Sequence, residues 1–399
     1  TWDGRFCMKY DIVVQNGTVI DPSQNINKKS DVAFTDGKVS AMAEKIPGNA
    51  AHEVIDASDL IVTPGLIDLH AHTFWGASEP GLPPDPVNVS KGVTTAIDAG
   101  SAGARTFPAF RKWTIEQSIT RIFALLNISS MGMVGGNHIA ELQDMRWADV
   151  EEAVECWRKN KEFILGIKAR LGRVQCNDND VEALKLSIEA ATEMGGIVMI
   201  HVGNTYTSLE KLCEMLRPGD VVTHSFGGME DLLINENGKV YDGFKDAAKR
   251  GVIFDVGHGG GGFSFTNAEK ALADGLPIGN ISTDLHQGSI NGPVFDMLTT
   301  MSKFLYLGLS LTEVIRLTTS RTAEIIGKDD MLGTLKVGAE GDAAIIQVVE
   351  GSFPLVDRLG TATTFHNLKW EAPVQVEATR KLKHILTIRG GKTYRPWID

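Results

Sequence analysis

Cysteine is scarce in this chain. The 399 residues contain four, at Cys7, Cys156, Cys176 and Cys213, and no two form a C-x-x-C pair. That spacing excludes a zinc ribbon and a thioredoxin-like redox motif. Scattered thiols in so long a chain argue for a reducing compartment, so the cytoplasm is the expected location. Long apolar runs are lacking too, with nothing near the ~18 residues of a membrane span. The opening Thr-Trp-Asp-Gly-Arg-Phe-Cys-Met-Lys-Tyr has no apolar h-region, so no secretory leader is expected, and Met8 is the expected natural start. Positive charge is in deficit: 39 Lys and Arg face 50 Asp and Glu, a formal net charge of −11. An acidic surface repels phosphate backbones, which makes nucleic acid a poor partner and leaves a small molecule as the expected one. Solenoid repeats, low-complexity tracts and long charge blocks are absent, and a homo-oligomer is left open.

What is present is ordinary globular material, 43% hydrophobic and 22% charged. Short β-rich runs with hairpin signals open the chain. Tyr10–Gln15 meets Asn16-Gly17, and Val32-Ala-Phe-Thr meets Asp36-Gly37; both dipeptides suit type I′ turns. Similar texture returns at Asp342–Val349 and at His384–Arg389 before Gly390-Gly391. Between the two ends, eight apolar runs alternate with helix-like segments. The runs begin at Gly65, Thr94, Ile122, Phe163, Ile197, Val221, Val252 and Ile281, and the stretches Asp149–Lys161 and Val181–Met194 read as amphipathic crossover helices. Near-continuous apolar strands separated by helices predict a parallel sheet, and eight predict closure. The expected architecture is α/β: a (β/α)8 TIM barrel over 63–335, flanked by a small β-sandwich domain assembled from 8–62 and 336–399.

Barrel enzymes place their reacting groups at the C-terminal ends of strands. Those ends carry His70 and His72, then Lys168, His201, His224 and Asp284. His70 and His72 stand two apart, so a strand turns both imidazoles to one face, where they can share an ion. His201 and His224, each taken alone, read as core histidines more readily than as ligands, and Asp284 reads as a ligand, a general base or a helix cap. Lys168 has no lone pair as an ammonium. It is either a strand-end lysine snorkelling outward or, with CO2 added to the neutral amine, an anionic bridge between two ions. Arg170 shares the Lys168 face by strand parity and is the first candidate for a substrate carboxylate, its other reading being a structural ion pair; Arg105, in the strand-two loop, is the second candidate. His258 follows strand seven and faces either substrate or solvent. The glycine run 259–262 lacks the G-K-[ST] of a phosphate loop. His52, His366 and His384 are given no role.

Thr63-Pro-Gly-Leu-Ile-Asp-Leu-His-Ala-His72 resembles the strand-one signature of the amidohydrolase superfamily, and the later Lys, His, His and Asp stand in that superfamily's order. Leu332-Gly-Thr-Leu-Lys-Val-Gly-Ala-Glu-Gly-Asp-Ala resembles its return from the barrel. The resemblance implies a binuclear zinc site, two Zn2+ per chain. His70, His72 and Asp284 would hold one ion, His201 and His224 the other, and a CO2-derived carbamate on Lys168 would bridge them. A narrower resemblance is to bacterial deacetylases often labelled dihydroorotase-like. It rests on the stretches 92–103, 166–170, 255–265 and 282–289. Thr319-Ser-Arg-Thr-Ala323 departs from the superfamily, which commonly has Pro before that Ala.

The expectation is a hydrolase that cleaves an acetyl ester or amide of a small carboxylic acid through a metal-bridging hydroxide, with Asp284 as proton shuttle. The alternative is a cyclic amidohydrolase such as a dihydroorotase or hydantoinase. Lys168 on strand four argues against a mononuclear deaminase, and the full set of six ligand positions argues against an inactive scaffold.

Overall fold

Alternation of side chains along the terminal strands decides how the ends of the chain pack. The computed structural model describes residues 9–136, 139–228, 233–359 and 372–396; Met8, Cys7 and His366 lie outside them. One sheet orders the strands Lys38–Ala43, Asp31–Thr35, Tyr10–Gln15 and Ala51–Asp56. A second orders Lys392–Tyr394, Gln375–Arg389, Ala343–Val356, Ile61–Pro64, Thr18–Asp21 and Ile26–Lys29, and so mixes both ends of the chain. Ile12 and Val14 join Val32, Phe34, Val62, Ile345 and Leu386 in a common core, while Val13 packs on the opposite face with Tyr10 and Ala33. That is the period-two pattern of a strand covered on both faces.

Asp36-Gly37 forms the expected hairpin turn, both residues at positive φ (51° and 75°). Asn16-Gly17 does not. Asn16 is left-handed (φ 65°), but Tyr10–Gln15 pairs with Asp31–Thr35 and Ala51–Asp56, and Thr18–Asp21 pairs in the other sheet. The dipeptide carries the chain between sheets. Gly17 is there for space, since a Cβ would come within 2.6 Å of Val62 Cγ2.

The barrel strands are β1 (Leu66–Ala71), β2 (Val93–Gly103), β3 (Arg121–Asn127), β4 (Ile164–Arg170), β5 (Ile197–His201), β6 (Val221–Thr223) and β7 (Ile253–Phe254), all parallel and neighbours in chain order. Residues 279–285 occupy the eighth place. Parallel bridges Asp255–Asn280 and Ala71–Leu285 join that segment to both edges, so the ring closes. It is not a continuous ladder, because Asp284 turns left-handed (φ 46°) and Thr283 spends its N–H on Asp68 Oδ1 (3.0 Å). Ile67, Leu69, Ile97, Leu125, Met199 and Val221 form one apolar cluster with Ala323 and Ile325. Helices α1 (Val150–Lys159) and α2 (Asp180–Met194) cover the outside, each close to its expected span. Asp149 caps α1 by accepting from Glu152 N, and Gly195 (φ 67°) ends α2. No helix among the described residues is long and apolar enough to cross a membrane.

Candidate metal centre

Parallel strands end on the same side of a barrel, so residues scattered over 215 positions meet there. His70 lies on β1 and His72 one residue past it; Lys168 is on β4, His201 ends β5, His224 follows β6 and Asp284 sits in the closing segment. Asp284 Oδ1 stands 3.3 Å from His70 Nε2 and 3.1 Å from His72 Nε2. The ligand atoms of these three residues lie within 4.8 Å of one another, so they can hold a metal ion. The His201 and His224 rings stack edgewise 4.4 Å apart, and His224 is 5.2 Å from His70. The structure thus brings all six expected positions together. Two of them, His224 (φ 64°) and Asp284 (φ 46°), hold left-handed backbone that only the surrounding packing maintains.

The donor chemistry fits a cation. His70 Nδ1 is tied to Thr223 Oγ1 (2.8 Å), His72 Nδ1 to Ser101 Oγ (2.9 Å) and His224 Nδ1 to the Gly257 carbonyl (2.6 Å). The carbonyl can only accept, so His224 carries its proton on Nδ1 and keeps a lone pair on Nε2. Burial, helped by nearby cations, pushes the pKa of His70 and His201 well below the ordinary value and that of His224 down to about 4. Neutral imidazole is the form that binds metal. Burial opposes ionisation of Asp284, yet His70, His286 and His72 hold its carboxyl well below the usual range.

Lys168 is 1% exposed, its Nζ 3.2 Å from His70 Nε2 and 3.4 Å from Met199 Sδ. It points into the site rather than snorkelling out. Burial pushes its pKa down to about 7, against the pull of Asp284 and Asp255.

The three residues expected to touch substrate are otherwise engaged. Arg170 shares the Lys168 strand, but its guanidinium is buried and forked onto Glu141, Nε to Oε1 at 2.5 Å and Nη2 to Oε2 at 2.8 Å, with Nη2 also donating to the Gly136 carbonyl. Arg105 is exposed and paired with Glu152 of α1. His258 corrects the expectation most fully: it is completely buried, with Nδ1 on the Gly259 carbonyl (2.9 Å) and Nε2 accepting from Lys303 Nζ (2.7 Å). It does not face solvent.

Several supporting groups escaped the sequence reading. Thr223 and Asp255 continue the face that Val221 and Ile253 begin one residue pair earlier, so strand parity was the available signal. His286, two residues past Asp284, places Nε2 3.9 Å from Asp284 Oδ2 while its Nδ1 accepts from Gly288 N. The glycines serve this cluster too: a Cβ on Gly259 (φ +48°) would meet Asp284 Oδ2 at 2.2 Å, and one on Gly257 (φ +49°) Thr223 Oγ1 at 2.0 Å.

A closed parallel barrel with such a cluster at its C-terminal mouth defines an enzyme of the (β/α)8 class. Residues 264–393 match the amidohydrolase family model. A deacetylase of Agrobacterium fabrum is 37% identical over 333 residues, covering 84% of this chain and 82% of that protein. A solved structure described as an adenine deaminase aligns with TM-score 0.86 at 32% identity, over 97% of this chain and 100% of that one. Another, described as a dihydroorotase, aligns with TM-score 0.86 at 33% identity, over 96% and 97%. The chain belongs to the amidohydrolase superfamily, and it is a hydrolase.

Proposed function

We propose that this protein is a binuclear zinc deacetylase acting on a small carboxylic acid acetylated at its α-hydroxyl or α-amino group. The carrying observation is the convergence of His70, His72, Lys168, His201, His224 and Asp284 at the barrel mouth. Six ligands exceed the four of one tetrahedral zinc, which calls for two ions. His70, His72 and Asp284 would hold one, and His201 and His224 the other. Lys168 joins as a carbamate: its amine nitrogen bonds the carbon of CO2 and releases a proton, leaving an anion with two oxygens for bridging. A lysine with a pKa of about 7 offers the neutral amine this needs at physiological pH. Two such ions supply Lewis acidity, lowering the pKa of water and polarising an acyl carbonyl.

The chain's own residues do the rest. Asp284 accepts the proton of the attacking water and returns it to the leaving oxygen or nitrogen. The acid end of the substrate is given to Arg170 or Arg105, and either guanidinium would have to share or release its carboxylate partner, Glu141 or Glu152, to hold it. An oriented acid end favours attack on one carbonyl. The deacetylase reading is supported by the 37% identical relative of that name. The second reading, a cyclic amidase, is supported by the likeness to the structure described as a dihydroorotase.

The test is a screen of protein loaded with zinc and bicarbonate against acetylated hydroxy and amino acids, dihydroorotate, hydantoin and adenine. Acetylated acids should turn over fastest. Faster dihydroorotate or hydantoin hydrolysis selects the second reading, and adenine turnover overturns both. Metal analysis should find about two ions per chain. Lys168→Ala should lose metal and activity, with partial recovery in short carboxylic acids.

A further inference from the structure

The Asp255 carboxylate is completely buried, and its described side-chain hydrogen bonds come from Thr223, Ser282 and Asn280 rather than from the six ligand side chains. Thr223 Oγ1 lies 2.7 Å from its Oδ2, Ser282 Oγ 2.8 Å from both oxygens, and Asn280 Nδ2 2.8 Å from Oδ1. Burial raises the Asp255 pKa while the hydrogen bonds from Asn280, Thr223 and Ser282 lower it by favouring the charged form, and in that form the carboxylate only accepts. The single hydrogen of the Thr223 hydroxyl therefore goes to Asp255, and the Thr223 oxygen is left to accept. Its other neighbour is His70 Nδ1 at 2.8 Å, which must then carry the imidazole proton. His70 Nε2 is left with a lone pair, and it is this nitrogen that meets Lys168 Nζ and Asp284 Oδ1.

The other arm fixes position rather than a proton, since the Gly257 carbonyl accepts from His224 whatever Asp255 does. The Ser282 hydrogen goes to Asp255, so the Ser282 oxygen accepts from Gly257 N (3.0 Å). The Gly257 carbonyl in turn accepts from His224 Nδ1 (2.6 Å). Every donor in both arms points back toward Asp255, and both imidazole lone pairs point forward into the site. Gly257 has to be glycine for the two arms to close, because it is left-handed and a Cβ would strike Thr223 Oγ1.

We infer that Asp255 is the positioning residue of the centre: through Thr223 and through Ser282–Gly257 it orients His70 and His224, imidazoles assigned to different ions. This rests on the binuclear reading above. Partners behind a ligand histidine typically change metal affinity 10–100-fold.

The experiment compares Thr223→Val, which keeps the shape and removes the hydroxyl, with Thr223→Ser, which restores it. Zinc affinity is read by chelator competition, and the His70 tautomer by 15N NMR of metal-free protein. Wild type and Thr223→Ser should show His70 protonated on Nδ1 and bind both ions with affinities within about threefold of each other. Thr223→Val should move the proton to Nε2 and weaken one ion by about 10–100-fold. Asp255→Asn, which offers an N–H where the carboxylate accepted, should act on both ions. If Thr223→Val fails to fold, the wild-type tautomer decides: Nε2–H in metal-free protein overturns the inference. Unchanged affinity and tautomer in Thr223→Val overturns it as well. Wild type that binds no zinc overturns the metal reading instead, and the tautomer still decides the relay.

Discussion

Arg170 and Glu141 form a buried two-pronged ion pair on the strand that carries Lys168, with side-chain exposures of 7% and 3%. Breaking such a pair from one side leaves a charge stranded and typically costs about 3–5 kcal/mol, whereas replacing both partners by apolar groups is often neutral. Arg170→Met should therefore lose stability on that scale, measured by urea unfolding. The double variant Arg170→Met/Glu141→Leu should recover it. If Arg170 anchors the substrate acid, the stable double variant should still show a raised KM for acidic substrates and not for their amides. Arg105→Met removes an exposed pair with Glu152 and should cost no more than about 1 kcal/mol.

Gly259 and Gly260 lie side by side in one glycine run but meet different surroundings. A methyl group on Gly259 would press on Asp284 Oδ2, on backbone that is left-handed; on Gly260 it would find only Leu359 Cδ1 at 3.4 Å. Gly259→Ala should lose both metal and turnover, and Gly260→Ala should keep both. Metal analysis with steady-state kinetics distinguishes them, and equal behaviour of the two variants would remove the packing argument.

Asp284→Asn tests the proton carrier. Asparagine tolerates left-handed backbone, so the substitution preserves the conformation that φ 46° imposes. Loss of a positioned proton-transfer group typically costs ~10²–10⁴ in rate. The expected outcome is a fall in kcat of that order, with a thermal midpoint near wild type. Near-normal turnover would transfer the role to another group, His286 first.

The sequence exposed the barrel and the six-residue cluster for one physical reason. Strand order in a parallel barrel follows chain order, so the last polar residue of each apolar run is brought to the same rim. No such rule governs the partners that engage Arg170, Arg105 and His258. Glu141 lies in the loop after β3, Glu152 on α1, and Lys303 on α3 (Met297–Tyr306). Their proximity depends on how loops and helices fold over the rim, and no strand period records it. Asn16-Gly17 shows the same limit at short range: a left-handed Asn makes a tight turn whether the next strand returns to the same sheet or enters another.

His384 gives a pH dependence unrelated to the centre. It is 8% exposed with Nε2 on Thr387 Oγ1 (2.8 Å), and burial together with Lys91 pushes its pKa from 6.5 down to about 4. Between these values the unfolded chain binds the proton and the folded chain does not, so stability falls as pH drops from about 6.5 toward 4. The shift corresponds to a loss on the order of 3 kcal/mol. Urea unfolding at about pH 4.5 and 7 should show a smaller difference for His384→Leu than for wild type. An unchanged difference would mean that this imidazole does not drive it.

The six-stranded sheet of the β-sandwich has a consequence for how the protein is made. Its Ile61–Pro64 strand pairs on one side with Thr18–Asp21 and on the other with Ala343–Val356. On the ribosome, the first two leave the exit tunnel long before the third exists, and at about 5–20 residues per second the interval is tens of seconds. Throughout that time Val62 and Val19 have no Ile345 or Leu386 to cover them, and the Ile61–Pro64 edge offers open N–H and C=O groups to any passing strand. The nascent chain is therefore most exposed to misassociation while its barrel is still being translated. A holdase chaperone that shields the first sixty-odd residues should raise the yield of folded protein more than one acting after release.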